Sequence, residues 1–264
     1  MKKTLCMFIF LVIVSLGFLS NVAFAIPTLQ LDIEGGTYDE ESQTIIAPAD
    51  SFTLYAYLKP DLKEKNTVMD WYYISAAVVP KTGPTGSDGG SFTFDFGDGG
   101  VRTTPLPGDG NNTIEVTDEM TYGVPPLETI VDLQDWDKGD LKPHGIFETY
   151  FAEFGFQFTG AQISPYNTQD RAISGDPIPD SGNGMYYAAF TIDTSNLLDG
   201  YTIHFDLYNK KLKNCTLDKD CDITQFAPFS HDAESKKVPE PSTLILLGTG
   251  LVALSLWRLK KGKG

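Results

Sequence analysis

Cysteine, histidine and tryptophan occur only three times each in this chain. The histidines, His144, His204 and His231, show neither H-x-H nor H-E-x-x-H spacing, so no zinc-protease motif is present. Ser230, His231 and Asp232 are consecutive, which is not the geometry of a catalytic triad, and there is no G-x-S-x-G elbow. Phosphate-loop and dinucleotide fingerprints are also missing. Positive charge is scarce: 20 Lys and Arg stand against 35 Asp and Glu. That balance argues against nucleic acid and, unless divalent cations bridge, against direct contact with anionic polysaccharide. Long Ala/Leu/Glu/Lys runs are absent too, while aromatic residues make up 12% of the chain, so strands are favoured over helices.

The two ends differ from the middle. Lys2 and Lys3 precede an almost wholly apolar run from Leu5 to Leu19. Ala23-Phe24-Ala25 then puts small residues at the two positions a signal peptidase reads. This order predicts a secretory signal peptide over 1–25, cut after Ala25. At the other end, Pro239-Glu240-Pro241 precedes an uncharged run to Trp257 and a tail holding Arg258, Lys260, Lys261 and Lys263. Each proline fixes φ and removes an amide donor, so 239–241 is expected to be extended and exposed. Ser242 to Trp257 is 16 residues without a charge. As a helix that is about 24 Å, against a hydrocarbon core of about 30 Å. Trp257 and Arg258 suit the interface and lengthen this marginal span, so a single transmembrane helix is expected over 242–258. The positive-inside rule then leaves the basic tail in the cytoplasm and the bulk of the chain outside.

The ordered trio of Pro-Glu-Pro, apolar span and basic end resembles the PEP-CTERM sorting signal, over 236–264. The resemblance implies an exosortase as processing enzyme, with Pro239, Glu240 and Pro241 as its recognition site. It also implies delivery to the cell surface or extracellular matrix of a bacterium that makes exopolysaccharide. A second likeness runs through the middle. Ile26-Pro-Thr-Leu-Gln-Leu-Asp-Ile33, His144-Gly-Ile-Phe-Glu-Thr-Tyr-Phe151, His204-Phe-Asp-Leu-Tyr208 and Phe226-Ala-Pro-Phe-Ser-His-Asp-Ala233 resemble choice-of-anchor N proteins. In that family one exported domain carries alternative C-terminal anchors, and no activity is implied.

Between the ends, residues 26–238 keep 14 of the basic and 34 of the acidic residues, a net charge of −20. A solvated acidic surface is the plain reading of such a charge. Alternating apolar and β-branched residues predict strands at 28–33, 44–47, 51–58, 71–79, 92–96, 113–116, 149–158, 185–193 and 201–208. About nine strands separated by Gly, Pro and Asn turns predict an all-β fold, an antiparallel β-sandwich over 26–235. Asp199-Gly200 with its short spacing makes 185–208 the best hairpin candidate. No amphipathic helix is expected. The stretches 80–90, 102–112, 118–147 and 159–184 read as long loops, the places for a binding site.

Few residues invite chemistry. Cys215 and Cys221 are the exported cysteines and an expected disulfide. Asp218, Asp220 and Asp222 alternate like the start of a calcium loop. The glycine and acid of an EF-hand would fall on Ile223 and Phe229, so only a looser Ca2+ site is left there. No other cofactor is indicated. Trp136, in Gln134-Asp-Trp-Asp, is the best candidate for stacking on a sugar, with Trp71 and Tyr122 behind it. His204 is expected to face solvent. The sequence thus points first to a non-enzymatic exported surface protein that meets signal peptidase, exosortase and the membrane. A carbohydrate-binding module is the alternative, and a secreted hydrolase the third reading.

Overall fold

The computed structural model describes residues 25–60, 66–83, 89–97, 112–125, 148–213 and 222–236. Along the chain the strands are β1 (Leu29–Ile33), β2 (Thr37–Asp39), β3 (Thr44–Ile46), β4 (Ser51–Leu58), β5 (Tyr72–Val79), β6 (Ser91–Asp95) and β7 (Thr113–Glu115). There follow β8 (Thr121–Gly123), β9 (Thr149–Phe156), β10 (Gln162–Ile163), helix α1 (Thr168–Ser174), β11 (Met185–Asp193), β12 (Thr202–Lys213), β13 (Asp222–Phe226) and β14 (Asp232–Glu234). One sheet runs β1-β4-β11-β6-β7 with β10 beside β11; the other runs β2-β3-β14-β12-β5-β9-β8 with β13 beside β12. All pairings are antiparallel except β14 with β3. The expected all-β fold is what the described residues form.

The sheets meet face to face through one core. Leu29, Leu31, Leu54, Phe94 and Phe190 come from the first sheet, Ile74, Phe154, Phe156 and Phe205 from the second. Phe94 stacks on Phe154 across the gap, ring centroids 3.8 Å apart and planes within 4°. Phe52 meets Phe205 edge-on at 6.2 Å, and Phe156 meets Phe190 at 5.1 Å. Aromatic pairs of this kind contribute about 0.5–1.5 kcal/mol each beyond area burial. Alternation explains who points inward: in β5, Ile74, Ala76 and Val78 face the core, and Ser75 and Ala77 the other side.

The sequence expectation fails in two places. The expected hairpin over 185–208 does not exist, because β11 and β12 lie in different sheets. Register against distant strands outweighs the local turn: β11 pairs with β4 over eight residue pairs, and β12 with β5 over seven. Residues 194–201 instead cross between sheets, stitched to 89–91 by Ser91 N–H to Asn196 O (3.1 Å) and Leu198 N–H to Gly89 O (3.0 Å). The expected loop over 159–184 carries β10 and α1. Asn167 caps α1 by accepting the Asp170 N–H at 3.0 Å, and Gly175 closes it at φ +74°. A helix this short leaves little periodicity to read.

Candidate functional site

The first candidate lies on the outer face of the first sheet. Gln30 and Asp32 alternate with the core residues of β1 and so point outward, yet both are fully buried. The 164–184 stretch covers them. Arg171 of α1 reaches down with Nε 2.9 Å from Asp32 Oδ2 and one terminal nitrogen on Oδ1. Another Arg171 nitrogen donates to Gly36 O at 3.1 Å. Tyr166 donates its hydroxyl to Asp32 Oδ2 at 2.8 Å, and Gln30 Nε2 donates to Tyr166 O at 2.8 Å. Burial lifts the Asp32 carboxyl to about 6, while Arg171, Tyr166 and the Ile33 N–H pull it down. At neutral pH the ion pair is intact, and its role is to pin a long segment onto the sheet.

Beside this clamp the same face stays open. Thr53, Tyr55, Thr159, Ala161, Tyr187 and Thr191 line a pocket of about 500 Å³. Tyr55 and Tyr187 are half-buried, their ring centroids 6.3 Å apart and tilted by 57°. Tyr55 also stacks on the buried Tyr57 at 6.0 Å, so the ring orientations are fixed.

The second candidate lies on the outer face of the other sheet. β12 and β14 pair His204 with Glu234 and Phe205 with Ala233, which also sets Asp206 beside Asp232. Phe205 and Ala233 belong to the core, so the four polar side chains point away from it. His204, Asp206 and Asp232 are nevertheless 5%, 1% and 0% exposed. His204 Nε2 lies 3.6 Å from Asp206 Oδ1 and 3.9 Å from Asp232 Oδ2; its Nδ1 lies 3.7 Å from Glu234 Oε2. Thr202 Oγ1 holds Glu234 at 2.8 Å, and Ser75 Oγ lies 3.4 Å from Asp206 Oδ2. Burial alone would lower the His204 imidazole; the carboxylates of Asp206, Glu234 and Asp232 overcome that and hold it well above its ordinary value. Burial and then Asp206 raise Asp232, with His204 opposing. The expectation that His204 faces solvent is thus corrected: it points off the core, as alternation requires, but into a closed polar nest.

His231 serves structure. Its Nε2 is 3.2 Å from Asn167 Oδ1 and its Nδ1 2.9 Å from Ser230 Oγ. Asn167 Oδ1 is an acceptor, so Nε2 carries the proton and Nδ1 receives the serine hydroxyl. Burial lowers this imidazole to about 4. The contact ties the cap of α1 to the turn before β14.

Most residues singled out from sequence lie outside the described ones: Ala23, Trp136, His144, Cys215, Cys221, Asp218, Asp220, Pro239, Glu240 and Pro241. The expected span over 242–258 does as well. Ala25 opens the described chain and is exposed, and Asp222 begins β13 opposite Lys213. Trp71 is 37% exposed, and Tyr122 packs edge-on against Tyr150 at 5.3 Å. Among the described residues no helix is long and apolar enough to cross a membrane. Sequence reasoning missed both outer-face clusters. H-x-D in β12 and D-x-E in β14 were the legible signals, but only the fold pairs those strands.

Comparison with known proteins adds one positive finding. Residues 237–261 match the PEP-CTERM protein-sorting motif. The motif marks an exported protein processed by an exosortase, as the Pro-Glu-Pro resemblance implied. No curated protein matches the chain.

Proposed function

We propose that residues 26–235 form a non-enzymatic exported domain of the choice-of-anchor N kind. It is delivered to the cell surface or extracellular matrix and associates there with exopolysaccharide. The observation that carries this reading is the sorting motif at 237–261. The signal-like order of the first 25 residues supports it. In this reading the chain is held briefly in the inner membrane, its domain outside and its basic tail in the cytoplasm. The exosortase then acts at Pro239-Glu240-Pro241 and frees the domain from the span. His231, the histidine that sits beside a serine, is engaged in tying α1 to β14, which supports a role other than hydrolysis.

Intact mass of the protein from the native envelope and from the medium tests this. Loss of the segment after Pro241 is expected in the processed fraction. Retention of the whole basic tail in every fraction overturns the reading.

The tyrosine pocket favours a second reading, glycan binding by the exported domain. Tyr55 and Tyr187 offer faces for a pyranose ring, and Thr53, Thr159 and Thr191 offer hydroxyls at the rim. A glycan array probed with and without Ca2+ should show binding that Tyr55→Ala or Tyr187→Ala weakens by roughly tenfold. An empty array under both conditions sinks this reading. Binding lost only in Trp136→Ala moves the site away from the pocket.

A further inference from the structure

Two buried carboxylates and an imidazole converge between β12 and β14. Asp206 and Asp232 sit directly across the strand pair, each essentially without solvent exposure. His204 is 95% buried and its Nε2 has no hydrogen-bond partner; it points between the two aspartates instead. The separations of 3.6 and 3.9 Å are too long for hydrogen bonds. They are close to the roughly 3.3–3.6 Å between ligands that share one tetrahedral ion at ~2.0–2.2 Å. One donor atom from each of the three residues can be chosen so that all lie within 4.8 Å of one another. Glu234 faces the other ring nitrogen and is itself anchored by Thr202, so Nε2 is the nitrogen directed at the two aspartates. A carboxylate behind a ligating histidine is the usual orienting device at metal centres.

We propose that His204 Nε2, Asp206 and Asp232 bind one first-row divalent cation, of the Zn2+ or Mn2+ kind, as a structural site. The imidazole donor favours Zn2+ and the two carboxylates also suit Mn2+, whereas Ca2+ and Mg2+ are held by oxygen ligands. A dication would tie β14 to β12 through one ligand set drawn from both strands. This site uses none of the residues of the aspartate-rich 218–222 stretch, and it stands whether or not the sorting reading does.

The test uses the full-length chain in detergent, stripped with EDTA and reloaded by dialysis against ZnCl2, MnCl2 or CaCl2. One Zn2+ or Mn2+ retained per chain and a raised melting temperature are expected, with no retention of Ca2+. His204→Asn and Asp206→Asn should each weaken binding by at least about a hundredfold, with wild-type far-UV circular dichroism required of the variant that is read. X-ray absorption of the loaded wild type needs no variant: it should show one imidazole nitrogen with oxygen neighbours. Retention of no ion overturns the proposal, as does preference for Ca2+ or full binding in both variants. Sulfur in the first shell overturns it too, since that would place the ion at the cysteines.

Discussion

Asp32 and Arg171 show what a single residue pair contributes here. The guanidinium holds the carboxylate through two of its nitrogens, and a third contact secures the backbone at Gly36. Removing one partner of a buried pair leaves the other uncompensated and costs about 3–5 kcal/mol. Arg171→Met should therefore lower the urea midpoint strongly at neutral pH. The pH dependence has a definite sign. In the wild type Asp32 has released its proton above about 6. Without Arg171, the strongest influence pulling that carboxyl down is gone, so its folded pKa rises further. The variant's folded state then keeps a proton above pH 6 that the unfolded chain has lost, and its stability falls as pH rises through that window. The deficit of Arg171→Met should be larger at pH 8 than at pH 5. An equal or smaller deficit at pH 8 would mean that burial does not govern Asp32.

At the scale of elements, the crossover from β11 to β12 depends on one glycine. Gly90 has φ +79°, and a Cβ there would lie 2.1 Å from Asn196 O. Its carbonyl accepts the Val116 N–H at 2.9 Å, and it bridges to Leu197. Gly200, in the same crossover, has φ +88° but open space around it. Gly200→Ala should cost about 1 kcal/mol for backbone conformation alone. Gly90→Ala adds a backbone collision and should cost at least ~2 kcal/mol more. Thermal unfolding of the two variants side by side checks this, and equal costs would show that the 89–91 contact yields easily. The element also explains a sequence-reading error. Asp199-Gly200 is a good turn, but a turn fixes only a change of direction. Leu197 is buried at the end of the sandwich, and the chain after it enters the opposite sheet.

For the molecule as a whole, the strand signal was legible and the strand partners were not. Ser51–Leu58 and Tyr72–Val79 carry enough β-branched and aromatic residues to be recognised locally, and both strands lie where expected. The sandwich class followed from their number. Short strands such as β2, β8 and β10 have two or three residues and no periodicity of their own; distant neighbours hold them. The same holds for the two outer-face clusters. Alternation along β1 sets Gln30 and Asp32 opposite the core residues, but it reports only the side of a sheet, not what a remote segment lays over it. His204 and Asp232 are 28 positions apart, and no spacing rule joins them without knowledge that β12 and β14 pair.

The place of β14 has a consequence for the order of assembly. This strand, near the end of the described chain, lies between β12 and β3, and β2 reaches the sheet only through β3. Residues 37–46, made early, must therefore wait for residues 232–234, made much later, before their side of the sheet can form. The sorting motif starts at 237. Completion of the fold and arrival of the signal for processing thus fall almost together in time, so a chain that emerges truncated would lack both.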